Sequence, residues 1–453
     1  MGMLKGFSKE EKSWMMYDWA NSVHSVIVVT VLPIFYDAVT RNSTLAVSRW
    51  GMGTSISKLL IAIFAPLLGI LGDFKGNKKR LFSWFVVLGA FSCLAIAPTP
   101  FLEGIISTET LGLIILVLYV LSNVGFAGAN IYYDSFLPEI TTDDRMDKVS
   151  IMGYGLGYIG GSSIPLIIFL VMNLLGVDMN ICLAFIFAFS CIWWLVFTQP
   201  MWKNVHQTHY VEKKQGAFRD SFRRLKVTAG AIWQNKPMLM FLLAYFFYND
   251  GVGTIIHMST IYGSALGLDS TQMMLALLLV QLLGLPFAML YTRLSGQYGA
   301  RKMVGVGIFI YAFICVFAFF ISETWHFWVL AVLVATSQGG IQALSRSIFG
   351  KMIPEKERSG EYFGFYDIFG KFSAIMGPAL FGFVAKKVSD SMLQARGILT
   401  SEASTEVLAE ISQKASPYGV LSVLAIFVIG AVLYFLVLPR TEKKVMAQGT
   451  AKA

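Results

Sequence analysis

Twelve long apolar blocks constrain this chain more than any other feature it has. They fall near residues 13–36, 46–71, 81–98, 110–136, 150–174, 180–198, 238–262, 270–293, 303–321, 325–349, 361–385 and 417–438. A helix of about twenty apolar residues spans the hydrocarbon core, where every backbone N–H and C=O must bond within its own segment. The blocks are apolar all round, so neither strand alternation nor a one-sided helical stripe describes them. Only 14% of the chain is charged, against roughly a quarter in ordinary soluble domains. The 41 glycines suit membrane helices that approach closely. The expectation is an all-α membrane protein of 12 transmembrane helices.

Loop charge sets the orientation. With the N-terminus cytoplasmic, 27 of the 36 Lys and Arg lie on the cytoplasmic side and six on the other, and Lys58, Arg346 and Lys371 fall inside spans. Cytoplasmic loops carry such an excess, so the net charge of +9 reflects topology and calls for no nucleic-acid partner. Met1–Lys12 is polar and basic, and the apolar run after it is too long for a signal-peptide core, so it is expected to remain as the first span. Residues 199–237 form a cytoplasmic linker. In it Phe218, Phe222, Leu225, Ala229 and Ile232 recur at helical spacing, with Arg219, Arg223, Arg224 and Lys226 between them. That pattern predicts an amphipathic interfacial helix. Residues 386–416 are the one long external loop, with a short helix expected over Thr400–Lys414. Cys93, Cys182, Cys191 and Cys315 all fall in apolar blocks without metal-ligand spacing, and are read as buried structural thiols. Trp14, Trp19, Trp193 and Trp194, near span ends, are read as interfacial anchors.

The chain repeats itself. Tyr17-Asp18 of span one is matched by Tyr248-Asn249-Asp250 of span seven, and Gly76-Asn77-Lys78-Lys79 by Gly299-Ala300-Arg301-Lys302. Leu137-Pro138-Glu139 is matched by Ile353-Pro354-Glu355. Gly157 precedes Pro165 by eight residues, as Gly370 precedes Pro378. Four matches in one order, six spans apart, predict two related halves: a six-helix bundle over 1–198, the linker 199–237, and a second bundle over 238–453 with a cytoplasmic tail. Parallel repeats of this kind build transporters that rock about a central site.

Gly69-Ile-Leu-Gly-Asp73-Phe-Lys-Gly76-Asn-Lys78-Lys79-Arg80 resembles the signature between spans two and three of the major facilitator superfamily. The second copy has Gly296 where the first has Asp73. Tyr17-Asp-Trp-Ala-Asn21-Ser, Tyr248-Asn-Asp250-Gly-Val, Gln338-Gly-Gly-Ile-Gln342-Ala-Leu-Ser-Arg346-Ser and Phe363-Gly-Phe-Tyr-Asp367-Ile-Phe-Gly-Lys371 resemble one branch of it, the vacuolar amino-acid effluxer-like family related to autophagy. The resemblance implies a major facilitator fold of two pseudo-symmetric six-helix bundles and secondary transport. It implies that spans one, four, seven and ten line a cavity, while spans two and eleven pack between halves. The short polar loops fit a member in a bacterial inner membrane, with both termini cytoplasmic.

Ionisable groups inside spans are costly and usually face a cavity or a partner. Asp18, Asn21 and His24 lie on span one, Lys58 on span two, and Asn130 and Asp134 on span four. Asn249 and Asp250 lie on span seven, and Gln338, Gln342 and Arg346 share a face of span ten. Asp367 and Lys371 stand one turn apart on span eleven, either neutralising each other or serving the interface. These residues are the candidates for substrate or ion coupling. In that scheme Lys58 and Lys371 approach the midplane, Asp250, Asp18 or Asp367 compensate them, and Asp250 and Lys58 edge a watery hollow. Asp18 also reads as a helix-start residue at headgroup level, and His24 as a satisfied core residue. Gly69, Asp73, Gly76, Lys78, Lys79 and Arg80 are expected to form a conformational latch, with Asp73 accepting amides near Gly360 and Glu361 at the positive start of span eleven. Gly153, Gly157 and Gly161 are expected to serve helix packing.

The chain has no metal-ligand spacing, nucleophile elbow or P-loop, so neither an enzyme nor an ATP-driven pump is expected, nor any cofactor. A channel or membrane receptor is the alternative of another class. The expected partners are a small-molecule substrate, the bilayer, and a coupling proton or sodium ion, with the protein a monomer. Lys58, Lys371 and Arg346 favour a small polar, zwitterionic or anionic solute such as an amino acid or peptide, possible export included. The aromatic and methionine content favours, instead, an amphipathic compound or lipid.

Overall fold

The computed structural model describes residues 4–40, 44–212, 217–265, 270–321, 323–398 and 404–450. Among these the backbone is helical, with two isolated bridges, Phe74 to Val211 and Glu103 to Ile106, and 12 helices long and apolar enough to cross a membrane. The first half comprises α1 (Lys9–Val39), α2 (Thr44–Asp73), α3 (Asn77–Ile96), α4 (Thr108–Ile140), α5 (Met146–Gly157), α6 (Ile164–Leu174) and α7 (Met179–Asn204). The linker carries α8 (Ala217–Gln234). The second half comprises α9 (Lys236–Ala265), α10 (Ser270–Tyr298), α11 (Ala300–Phe319), α12 (Thr324–Met352), α13 (Ser359–Ala395), α14 (Thr405–Val432) and α15 (Leu438–Thr450). The expected external loop is mostly helix, because α13 runs on to Ala395 and α14 begins at Thr405. The first residues of the Thr400–Lys414 helix lie outside the described residues, as do the loop cations Arg41, Lys213, Lys214 and Lys452.

By backbone proximity the chain divides into two units. One is Met1–Ala229 with Arg346–Ile368, the other Gly230–Ser345 with Phe369–Ala453. The division passes through α8, α12 and α13.

In the first unit α1 is the central helix, packed on α4, α5 and α7. Ser8 starts it with a capping box, accepting from the Glu11 amide while the Glu11 carboxylate accepts from the Ser8 amide at 2.8 Å. Glu11 also takes Arg145 at 2.7 Å and Thr141 at 2.7 Å, and its hydrogen bond raises the Arg145 guanidinium above its ordinary range. Along α5 and the turn that follows it, a Cβ on Gly153 would stand 2.5 Å from an Asp18 carboxylate oxygen, one on Gly157 2.5 Å from the Ser22 hydroxyl, and one on Gly161 2.7 Å from the Ser22 Cβ. Small residues at this spacing let two backbones approach. A π-helical turn, Tyr158–Ser163, separates α5 from α6. Pro165 explains it: without an N–H the proline cannot complete the α pattern, and the Ile164 amide bonds five residues back to Ile159.

In the second unit α14 packs on α9 and α11. Gly430 sits against Tyr248, and Tyr311 stacks on Phe427 at 5.7 Å. The linker helix α8 is strongly amphipathic in sequence. Against protein it buries Ser221, Thr228 and Ile232, and it leaves Phe222, Val227 and Trp233 exposed.

Candidate functional site

One group of expected residues converges on Arg346. Trp14 and Asp18 stand one turn apart on α1, Tyr133 and Asp134 are adjacent on α4, and Ser150 and Tyr154 stand one turn apart on α5. Together they surround the guanidinium, which is 3% exposed. It donates to Asp134 Oδ1 at 3.0 Å, to the Ser150 hydroxyl at 3.0 Å and to the Ser150 carbonyl at 3.1 Å. Asp18 Oδ2 lies 3.5 Å away and is held by the Tyr133 hydroxyl at 2.7 Å. The rings of Trp14 and Tyr154 each lie 4.6 Å from the cation, which favours guanidinium electrostatically. The Asp134 side chain keeps 24% of its surface exposed, so the cluster has one open edge. Beside it the Asn21 amide donates to Asn130 at 2.8 Å.

The cluster corrects several expectations. Asp18 is buried and engaged with Arg346 and Tyr133, nine residues inside α1, and is not a helix-start residue. Trp14 and Trp194 are fully buried core residues, not interfacial anchors. His24 is buried, in keeping with its reading as a core residue, meeting the Ser122 hydroxyl at 2.6 Å and stacking on Phe126 at 4.7 Å. The cluster also sits toward one end of its helices, since Arg346 is six residues before Met352 and Asp134 six before Ile140, about 9 Å of rise in each case. Sequence spacing missed Trp14, Tyr133, Ser150 and Tyr154, although the one-turn spacing from Trp14 to Asp18 puts both on one face.

A second network surrounds the start of α13. Asp73 ends α2, and its two oxygens accept the Gly360 amide at 2.8 Å and the Glu361 amide at 2.9 Å. This uses the unpaired N–H groups and positive end of a helix N-terminus. Gly69 makes the reach possible, because any Cβ there would collide with the Gly360 carbonyl. Gly76 turns the chain with φ of 75°, a conformation that favours glycine. Lys78 is completely buried, donating to Glu139 at 2.5 Å and Ser359 at 2.8 Å, with Asp73 at 3.6 Å. Lys79 is half-buried and Arg80 exposed. Glu361, also fully buried, takes Arg224 at 2.8 Å, Arg358 at 3.0 Å and a short hydrogen bond from Thr228. Nearby, Asp147 accepts from Lys351 at 2.7 Å and from Ser347 at 2.5 Å. Glu139, Ser359, Arg224 and Thr228 were not among the expected site residues, nor was a role for the Glu361 carboxylate, though the repeated Leu-Pro-Glu pointed at Glu139.

In the second unit Asp250 is fully buried, where open space was expected beside it. Its Oδ1 accepts the Gly377 amide at 3.0 Å, and Asn249 donates to Ser373 at 2.8 Å. α9 and α13 approach so closely that a Cβ on Gly377 would collide with Thr254. Lys58, Gln338, Gln342, Asp367 and Lys371 are half-buried, on α2, α12 and α13.

These features meet in a known family. A profile described as "Vacuole effluxer Atg22 like" matches residues 48–393. The chain belongs to that family. YxiO of Bacillus subtilis (strain 168), described as an uncharacterized MFS-type transporter, is 41% identical over 457 residues, covering 98% of this chain and 99% of that one. Autophagy-related protein 22 of Saccharomyces cerevisiae is 24% identical over 414 residues, covering 79% of this chain and 76% of the relative. Among solved structures, the human organic anion transporter MFSD10 superposes with a TM-score of 0.67 at 12% identity, over 94% of this chain and 99% of that one. The proton:xylose symporter XylE gives 0.62 at 12% identity, over 94% and 93%. At that identity the likeness shows the fold alone. This Atg22-like chain is thus a multi-pass membrane protein of the major facilitator fold and an MFS-type transporter.

Proposed function

We propose that the protein is a secondary carrier of a small zwitterionic or anionic solute of the amino-acid or peptide-like kind, working by alternating access and coupled to a cation. The supporting observation is the polar fastening of Arg346–Ile368 to the rest of the first unit, through Arg346 to Asp18 and Asp134, Lys351 to Asp147, Ser359 to Lys78, and Gly360 and Glu361 to Asp73. Contacts of this kind re-form with water when they part, whereas an apolar seam of the same area resists parting. They suit a segment released and refastened in each cycle. Asp73 and Lys78 act as the latch of that segment.

The Arg346 cluster links the fastening to solute. Taken alone, two carboxylates and one guanidinium carry one excess negative charge, and burying net charge is costly. A proton, a sodium ion or the amino group of a solute removes the excess at Asp134, the more exposed partner. A solute carboxylate then competes for Arg346, so loaded and empty states differ in their contacts, as a ligand-driven change requires. The family's description as effluxers supports an exporter. The kinship with a Bacillus subtilis protein, with the loop charges, supports a bacterial plasma membrane and cytoplasmic termini. We take the working unit to be a monomer.

Thermal unfolding in detergent, screened against amino acids, peptides, organic acids and lipids, tests the solute class. A zwitterion or anion is expected to stabilise the protein, and less so in Asp134→Asn. Stabilisation by lipids or amphipathic compounds alone would remove this reading.

A further inference from the structure

The second copy of the signature loop has a different fate from the first. In the first copy Lys78 is shut inside the protein against Glu139 and Asp73. In the second copy Gly296 replaces the acid, and residues 293–302 contain Arg293, Arg301 and Lys302 and no carboxylate. Arg301 is taken by Glu442, while Arg293 and Lys302 remain exposed.

Immediately above this loop, α10, α11 and α12 frame a groove of about 500 Å³ lined by Leu290, Leu294, Val306, Phe309, Phe313 and Leu333 among others. Its two wall hydroxyls are occupied, Tyr291 donating to Ser337 at 3.0 Å and Thr336 to the Leu333 carbonyl at 2.6 Å. The wall therefore presents hydrocarbon. Lys302 stands at helical spacing below Val306, Phe309 and Phe313, on the same face of α11, and Tyr298 stands likewise below Tyr291 and Leu294 on α10. Both are exposed. From Lys302 to Phe313 is about 17 Å of helix, close to the half-thickness of the hydrocarbon core, which is about 15 Å.

We propose that this groove is a binding site for an anionic phospholipid, with one acyl chain lying between α10 and α11 and the headgroup phosphate on Lys302, assisted by Arg293 and the Tyr298 hydroxyl. An apolar slot one leaflet deep, ending in unneutralised cations at headgroup level, fits that molecule in charge and in length. A zwitterionic lipid of the same chain length fills the slot and leaves the cations uncompensated. Free phosphate meets the cations and leaves the slot empty.

Native mass spectrometry of the full chain in detergent tests this with phosphatidylglycerol, phosphatidylcholine of identical chains, and glycerol phosphate. A juxtamembrane cation contributes about 1 kcal/mol toward an anionic lipid, so phosphatidylglycerol is expected to be retained about fivefold over phosphatidylcholine. Lys302→Gln is expected to abolish most of that preference, Lys302→Arg to keep it, and Val306→Trp, which fills the slot, to reduce retention of both lipids. Glycerol phosphate is expected not to compete. Equal retention of the two lipids, an unchanged preference in Lys302→Gln, or competition by glycerol phosphate would overturn the proposal. The readout is independent of transport, so it stands or falls apart from the carrier reading.

Discussion

Replacing Asp73 by Asn tests the fastening of Arg346–Ile368 directly. The native carboxylate accepts two amides, at 2.8 and 2.9 Å, and hydrogen bonds to a charged group contribute about 1.5–3 kcal/mol each. An asparagine offers one acceptor oxygen and turns its NH₂ toward the second amide, so one bond is lost and a buried donor faces a donor. The buried Lys78 loses a neighbour at 3.6 Å but keeps Glu139 at 2.5 Å, which limits the electrostatic part. A cost of about 3 kcal/mol follows, equivalent to about a hundredfold rise in the released population. Ser135 reports this population, because it is fully buried and its carbonyl accepts the Ser359 hydroxyl at 3.0 Å. In a background with the four native cysteines replaced, maleimide labelling of Ser135→Cys is expected to accelerate about a hundredfold when Asp73→Asn is added. An unchanged labelling rate, in protein with unaltered helix content, would refute the idea that these two hydrogen bonds hold the segment.

Two other substitutions follow from the same geometry. Gly69→Ala places a Cβ on the Gly360 carbonyl and is expected to raise Ser135→Cys labelling as Asp73→Asn does, with every hydrogen-bonding side chain retained. Asp250→Asn keeps an acceptor for the Gly377 amide while Asp250→Ala removes it, so the alanine variant is expected to lose about 1–3 kcal/mol more stability in thermal unfolding; equal melting points would show that this bond does not join α9 to α13.

The membrane spans were legible because a lipid solvent demands a long apolar run, a signal that needs no knowledge of neighbours. The contact between Asp73 and the start of α13 was legible from the resemblance of Gly69–Arg80 to the facilitator signature and from the pull of a helix N-terminus on a carboxylate, and the structure places its oxygens on Gly360 and Glu361. Its part in gating is the proposal made above. Glu361 shows where sequence stops. Arg224 and Thr228 reach it from 137 and 133 residues away, and an arginine in a basic linker reads equally well as a headgroup contact. Asp250 was misjudged in its surroundings, since an acid in mid-span looks the same in one dimension whether it faces water or a helix backbone. Trp14 was misjudged likewise, since a tryptophan near a span end suits both a membrane interface and the wall of a cation cage.

The account turns on Asp134, the exposed edge of the Arg346 cluster, as the place where solute and counter-charge meet the fastened segment. The most direct measurement is solute accumulation in proteoliposomes under an imposed proton or sodium gradient, with a solute chosen by thermal shift, comparing the native protein with Asp134→Asn. The prediction is gradient-driven accumulation by the native protein and at least a tenfold loss in the variant, with helix content and melting temperature nearly unchanged. Accumulation by Asp134→Asn at the native rate would contradict it.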